Sequence, residues 1–290
     1  MQNNTPLRYP GGKSRITGFI SQIIKDNNIV EGNYVEPFAG GCGVALNLLL
    51  AGIVNNIYIN DKDRSIYAFW YSILNNCDEF ITRINTVDIS VEEWKKQQDI
   101  QKNKEQCDLF ELGFSTFFLN RTNRSGIIKG GIIGGLQQNA PWKLDVRFNK
   151  EKLIQKILKI KKYKENIHLY NLDAVEFLNT VVPQLDIANT LFYLDPPYYV
   201  KGGQLYMNYF KHEDHVRIFN AVKKLKHHWL VSYDNQKEIT ELYKGVKNIT
   251  YLLRYTAGTK YNGSEIMFAS PDLIFDENAK PLKVKNNSTF

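Results

Sequence analysis

The residues with the most chemical promise form one short run, Leu191-Phe192-Tyr193-Leu194-Asp195-Pro196-Pro197-Tyr198-Tyr199. An apolar stretch of strand type, Thr190 to Leu194, ends at a carboxylate. Two prolines follow, and because each lacks an N–H and fixes its own φ, the backbone past Asp195 is stiff. The residue before a proline is also pushed to extended geometry. Asp195 is thus expected at the carboxyl end of a strand, where open α/β sheets bind ligands. A carboxylate at Asp195, an immobile carbonyl at Pro196 and an aromatic face at Tyr198 would clamp a planar base that carries an amino group. The same run also reads as a strand that stops at a proline turn, with tyrosines packing its rim.

Two glycine turns lie far upstream. In Val35-Glu36-Pro37-Phe38-Ala39-Gly40-Gly41-Cys42-Gly43 a short strand enters a glycine turn, which opens an apolar helix from about Val44 to Leu50. That order brings a nucleoside against backbone N–H groups in a Rossmann-like half, although the dinucleotide G-x-G-x-x-G is absent. A second strand, Asn56 to Ile59, ends in Asn60-Asp61, and Asp61 stands 20 residues after Gly41. An acid at that distance holds ribose hydroxyls in such folds. The first turn, Arg8-Tyr9-Pro10-Gly11-Gly12-Lys13, lets a backbone approach closely, with Lys13 at its edge. It also reads as a plain turn capping the helix that follows.

These pieces need elements to hold them. Strand-type runs at 33–36, 56–59, 167–170, 190–194 and 229–232 alternate with helical patterns, which predicts an α/β sheet. Two further runs, Ile249 to Tyr255 and Glu265 to Ala269, predict a terminal antiparallel hairpin around Gly258 to Gly263. Gly202-Gly203 marks a tyrosine-rich loop over Val200 to Phe210, and the tail after Pro281 is expected to fray. Between 63 and 163 aromatic and helical patterns dominate. Within that block, glycine pairs around Ile-rich runs predict a β-hairpin over Thr122 to Gly135. It is led by Asn120, Arg121, Asn123 and Arg124, the side-chain types suited to adenine and guanine edges. A glycine-rich loop with solvent-facing charges is the other reading of that segment.

Composition narrows the class. A chain of 290 residues, 43% hydrophobic and 23% charged, can bury a full core as one large domain or a domain with an insertion. A net charge of +7 and a pI near 9.0 suit a polyanionic partner. No apolar run approaches the roughly 20 residues of a membrane helix, and the amino terminus lacks the basic and apolar regions of a signal peptide. Cys42, Cys77 and Cys107 have neither zinc spacing nor the number a disulfide framework uses, which points to a reducing cytoplasm and to no metal.

Taken together, these stretches resemble the Dam-like, D12-class DNA adenine-N6 methyltransferases from Leu7 to about Ala269, with the motifs in the family's order. The resemblance implies a Rossmann-like S-adenosylmethionine-dependent methyltransferase: a mixed sheet with helices on both faces, formed by 1–62 and 164–270. It implies that 63–163 is an inserted, mainly helical target-recognition domain carrying the hairpin, with 271–290 as a tail. It assigns cofactor binding to Tyr9, Lys13, Glu36, Phe38, Gly40, Asp61 and Asp173, catalysis to Asp195, Pro196 and Tyr198, and double-stranded DNA contacts to Asn120, Arg121, Asn123 and Arg124. It also allows a cognate restriction endonuclease as functional partner. The segment Thr122 to Gly135 departs from the enzymes that read GATC, so that target does not carry over. Methylation of RNA adenine or of cytosine N4 by the same clamp, or a DNA-binding relative without catalysis, are the alternative readings. A cytosine-C5 enzyme is excluded, because none of the three cysteines follows a proline.

Overall fold

The computed structural model describes residues 4–9, 12–199, 210–255 and 261–276. Pro10 and Gly11 of the first turn, most of the tyrosine-rich loop after Tyr199, the tip between the last two strands and the carboxyl tail lie outside the described residues.

The strand-type runs pair as expected. Strands β1 (Asn33–Glu36), β2 (Asn56–Asn60), β3 (Ile167–Tyr170), β4 (Thr190–Leu194) and β5 (His228–Asp234) run parallel. Strands β6 (Asn248–Tyr255) and β7 (Tyr261–Ala269) form an antiparallel pair added to β5. The spatial order is β3-β2-β1-β4-β5-β7-β6, so the winding reverses between β1 and β4. A crevice opens beyond the carboxyl ends of the strands at such a reversal. Val35 of β1 is in register with Phe192 of β4, which brings the ends of these two strands side by side.

Because successive side chains leave a strand on opposite faces, each strand feeds two cores. Tyr34, Leu191 and Tyr193 enter one, and Val35, Phe192 and Leu194 enter the other. The first core is completed by helices α1 (Thr17–Asp26), α2 (Gly43–Leu50), α3 (Arg64–Asn75), α4 (Cys77–Thr86), α5 (Val91–Lys102), α6 (Leu109–Thr122) and α7 (Lys150–Lys161). The second is completed by α8 (Ala174–Val181), α9 (His212–Val222) and α10 (Lys237–Leu242). The inserted stretch 63–163 holds α3 to α7 and, among the described residues, no strand. Its aromatic side chains are continuous with the sheet's own core: Phe69 of α3 stacks on Phe117 of α6 with centroids 5.9 Å apart, in the same cluster as Ile57 and Leu191. Burying one such ring stabilises by about 1.5–3 kcal/mol.

The expected hairpin over Thr122 to Gly135 is a correction. It reduces to a single antiparallel bridge, Asn123 with Ile132. Left-handed φ angles at Ser125, Gly126, Gly134 and Gly135 bend the chain out of extended geometry. Side-chain amides also take the carbonyls a ladder would use: Asn120 holds Gly126 O, Asn123 holds Ile127 O and Ile128 O, and Gln138 holds Ile133 O. Such bonds compete directly with strand pairing.

Candidate active site

Asp195 follows the fully buried strand β4, and its side chain is 20% exposed. Lys13 places its ammonium 2.9 Å from Asp195 Oδ1, and Ser232 of β5 donates to the same oxygen at 2.7 Å. Ser232 is in turn paired with the Tyr193 hydroxyl at 2.8 Å. The hydrogen bonds that the described residues give Asp195 thus converge on Oδ1, and none of them falls on Oδ2. Pro196 is buried directly behind it. Burial pushes the Asp195 carboxyl above its ordinary range, and the Lys13 ammonium opposes that push.

Lys13 and Tyr198 depart from the roles read for them. Lys13, expected at the cofactor, is instead enclosed at 5% exposure between Asp195 and Glu265, whose Oε1 lies 3.3 Å away. Burial works against its charge, but the two carboxylates outweigh that and hold it protonated. Tyr198, expected to offer an open face to a base, is 2% exposed. Its hydroxyl accepts from Lys13 at 2.9 Å and donates to Glu265 Oε1 at 2.8 Å, which ties the ring into the interior.

The glycine turn after β1 forms a second part of the crevice. Gly40 has φ +45°, and a Cβ there would lie 2.7 Å from the Tyr9 ring, so glycine lets Tyr9 lie against the turn. Asp61, at the tip of β2, accepts from Gly40 N and from Asp63 N, both at 2.9 Å. Burial, with Asp63 nearby, raises the Asp61 carboxyl to about 7. Glu36 is 6% exposed and accepts from Ala45 N in the first turn of α2 at 3.2 Å. Burial raises it to about 8. Phe38 meets Phe210 edge-on with centroids 5.9 Å apart. Asp173 stands apart from this group: it caps α8 through Val175 N at 3.1 Å and pairs with Lys62 and Arg217 at 3.1 and 3.2 Å. Burial pushes its carboxyl up, but these partners outweigh it and hold it low.

The shift at Glu36 predicts a pH dependence. The folded chain holds this proton more tightly than the unfolded chain, so the stability it contributes is full below about 4.5 and is lost as pH rises through about 8. Across that window the parent protein is expected to lose stability relative to Glu36→Gln, which keeps an acceptor for Ala45 N without the charge. Thermal midpoints of both proteins from acid to mildly alkaline pH check this; curves that stay parallel would refute it.

In the inserted lobe the four expected DNA contacts divide. Asn120 and Asn123, 1% and 0% exposed, do not reach a groove, which corrects the reading of both as base contacts. Asn120 accepts from Arg8 N at 2.7 Å and donates to Arg8 O at 2.9 Å, while Asn123 Oδ1 accepts from Trp94 Nε1 at 2.6 Å. The Asn120 amide joins the lobe to the first turn, whereas the Asn123 amide is consumed within the lobe by Trp94, Ile127 and Ile128. Arg124 is exposed. Arg121 is largely enclosed, and its buried Nε has no hydrogen-bond partner among the described residues. Burial, with Arg8 and Arg147 close by, pushes its guanidinium down to about 10. Lys156 is lowered by burial and by Arg121 and Lys159. These cations thus crowd one another.

Three residues of the site carried no motif in the sequence. Ser232 orients Asp195, Glu265 orients Lys13, and Asn60, fully buried, donates to Pro37 O and Leu172 O and so joins the loops after β1 and β3. The lone Glu265, placed directly before the apolar run Ile266-Met267-Phe268-Ala269, was the one usable signal.

Residues 9–256 match the model of the D12 class N6 adenine-specific DNA methyltransferase family. The chain is also similar to the type II methyltransferase M.MjaIII of Methanocaldococcus jannaschii, with 25% identity over 239 residues that cover 76% of this chain and 79% of that protein.

Proposed function

Because the chain belongs to the D12 class N6 adenine-specific DNA methyltransferases, we propose how its residues divide the work of methylating adenine N6 at a specific DNA site. The observation that carries this reading is Asp195, held at the sheet's reversal by bonds to one oxygen only. A base in a duplex cannot present its amino group to a donor, so it is flipped into the pocket. The adenine amino nitrogen is a weak nucleophile, because its lone pair is delocalised into the ring. Asp195 Oδ2 and the Pro196 carbonyl each accept one of its N–H bonds, which favours a pyramidal nitrogen and frees the lone pair. The carboxylate also offsets positive charge developing on that nitrogen. Tyr198 acts through Lys13 and Glu265.

The methyl donor in this reading is S-adenosyl-L-methionine, which supplies an electrophilic methyl on a sulfonium. The residues present fit it: a glycine turn against Tyr9, and two buried carboxyl groups at neighbouring strand tips, suit a cationic nucleoside with ribose hydroxyls. Asp61 would hold the hydroxyls, Glu36 would face the cationic end, Gly40 and Phe38 would flank the nucleoside, and Asp173 would bind nearer its base. The sheet, 1–62 and 164–270, is the catalytic domain, and 63–163 reads double-stranded DNA. The reading leaves room for a cognate restriction endonuclease as a functional partner. Among the described residues no helix is long and apolar enough to cross a membrane, and three free cysteines suit a reducing cytoplasm.

Transfer of labelled methyl from S-adenosyl-L-methionine to double-stranded DNA, single-stranded DNA and RNA, followed by modification-sensitive sequencing, tests the reading. N6-methyladenine in one duplex context is expected; label in RNA or on cytosine N4 would overturn it.

DNA reading is assigned to the exposed Arg124 and phosphate contact to Arg121 with its cationic neighbours. Arg124→Ala is expected to lose about tenfold in discrimination at one position of the site. Arg121→Ala is expected to weaken all sequences alike and reduce the salt slope by about one unit. Binding to the cognate site and to each single-base variant, at several salt concentrations and alongside unfolding midpoints, separates the two. Uniform weakening by Arg124→Ala with unchanged discrimination would remove it from base reading.

A further inference from the structure

Glu265 lies on β7, an antiparallel strand far in sequence from every motif of the site, and is fully buried. Its two oxygens are spent separately. Oε1 lies 3.3 Å from the Lys13 ammonium and accepts from the Tyr198 hydroxyl at 2.8 Å. Oε2 accepts from the Tyr251 hydroxyl of β6 at 2.7 Å. Lys13 therefore stands between two carboxylates and gives Asp195 a single contact, on Oδ1. We infer that Glu265 is a positioning residue for methyl transfer: by sharing the Lys13 ammonium with Asp195 it confines Lys13 to Oδ1, keeps Oδ2 available to the target amino group and leaves these three groups with one net negative charge. This inference rests on the reading of Asp195 as the group that receives that amino group.

The argument is one of charge and reach. Among the described residues, one ammonium and two carboxylates are enclosed together, and these three are net anionic where a cation develops during transfer. Replacing Glu265 with a neutral amide makes them neutral. A buried ammonium with one remaining counter-charge would then close onto both Asp195 oxygens, because burial makes an uncompensated charge costly. The nearby phenols Tyr193, Tyr233 and Tyr251 are all pushed well above their ordinary range and stay neutral. Among the described residues, the charged groups that act on Asp195 are thus Lys13 and Glu265, with Glu36 coupled to it as it ionises. Glu36 titrates in parent and variant alike, so a difference between them reports Glu265.

The test uses the full chain with duplex DNA carrying its site and S-adenosyl-L-methionine. Glu265→Gln is expected to lower the single-turnover rate about tenfold or more with little change in affinity for the donor or DNA. Because the Glu265 charge raises the Asp195 carboxyl, its removal is also expected to move the acid limb of the rate profile to lower pH. A merely structural role would leave that limb in place. Glu265→Asp, which keeps the charge, should return the limb towards the parent position. If Glu265→Gln does not fold, Tyr251→Phe serves instead: it removes one anchor of Glu265, and a severalfold loss of rate at unchanged donor affinity is expected. A Glu265→Gln enzyme with parental rate and limb, or a Tyr251→Phe enzyme with parental rate, overturns the inference. Asp195→Asn run in parallel separates the two claims. If it is inactive while Glu265→Gln is parental, only the inference about Glu265 falls; if it is active, the reading of Asp195 falls with it.

Discussion

Asp195→Asn is expected to lower the rate of methyl transfer by about a thousandfold while leaving affinity for S-adenosyl-L-methionine close to that of the parent. The amide keeps the shape of the side chain but presents neither a negative charge nor a second full acceptor. Removing one preorganised electrostatic partner of a transition state costs about 10²–10³ in rate. Here the lost group both orients the amino nitrogen and offsets its developing charge, which puts the effect at the upper end. The donor-side groups, Glu36 and Asp61, belong to other strands and keep their own partners. Lys13 retains Glu265 and Tyr198, so the fold around the site should persist. Single-turnover rates at saturating donor, with calorimetric titration of the donor, measure the two quantities separately. A variant that transfers methyl at a rate near the parent's would remove Asp195 from the chemistry.

Asp61→Ala is expected to do the converse: to weaken donor binding by about a hundredfold and leave the rate at saturating donor much closer to the parent's. Hydrogen bonds to a charged group contribute about 1.5–3 kcal/mol each when lost. The truncation would remove a hydroxyl acceptor and leave Gly40 N and Asp63 N without the carboxylate that holds them. Gly40 sits at a left-handed φ against Tyr9, so the turn would loosen where the nucleoside is to rest. Donor affinity by calorimetry decides the matter. Normal binding by Asp61→Ala would show that the acid 20 residues after Gly41 has a purely structural use.

The strands, their alternation with helices and the terminal antiparallel pair were legible because they follow from short-range rules: apolar period, proline and glycine positions, strand-to-helix turns. Asp195 and Asp61 were legible for the same reason, since a carboxylate at a strand's end keeps its place whatever packs behind it. The segment Thr122 to Gly135 was misread because its outcome depends on competition. Glycine pairs and Ile-rich runs describe a hairpin, yet the amides of Asn120, Asn123 and Gln138 take the carbonyls a ladder needs.

By itself the sequence determined the α/β sheet, the two glycine turns and the carboxylates at the strand tips, since each depends on residues within a few positions of one another. Only the tertiary structure decided what surrounds Lys13 and Tyr198, that Asn120 and Asn123 face inward, and that Glu265 lies against Lys13. Lys13 and Glu265 are separated by nearly the whole chain and meet only because β7 folds back antiparallel to β5 beside β4. An ammonium enclosed with two carboxylates takes its role from which oxygens surround it, and no local pattern in a chain specifies that.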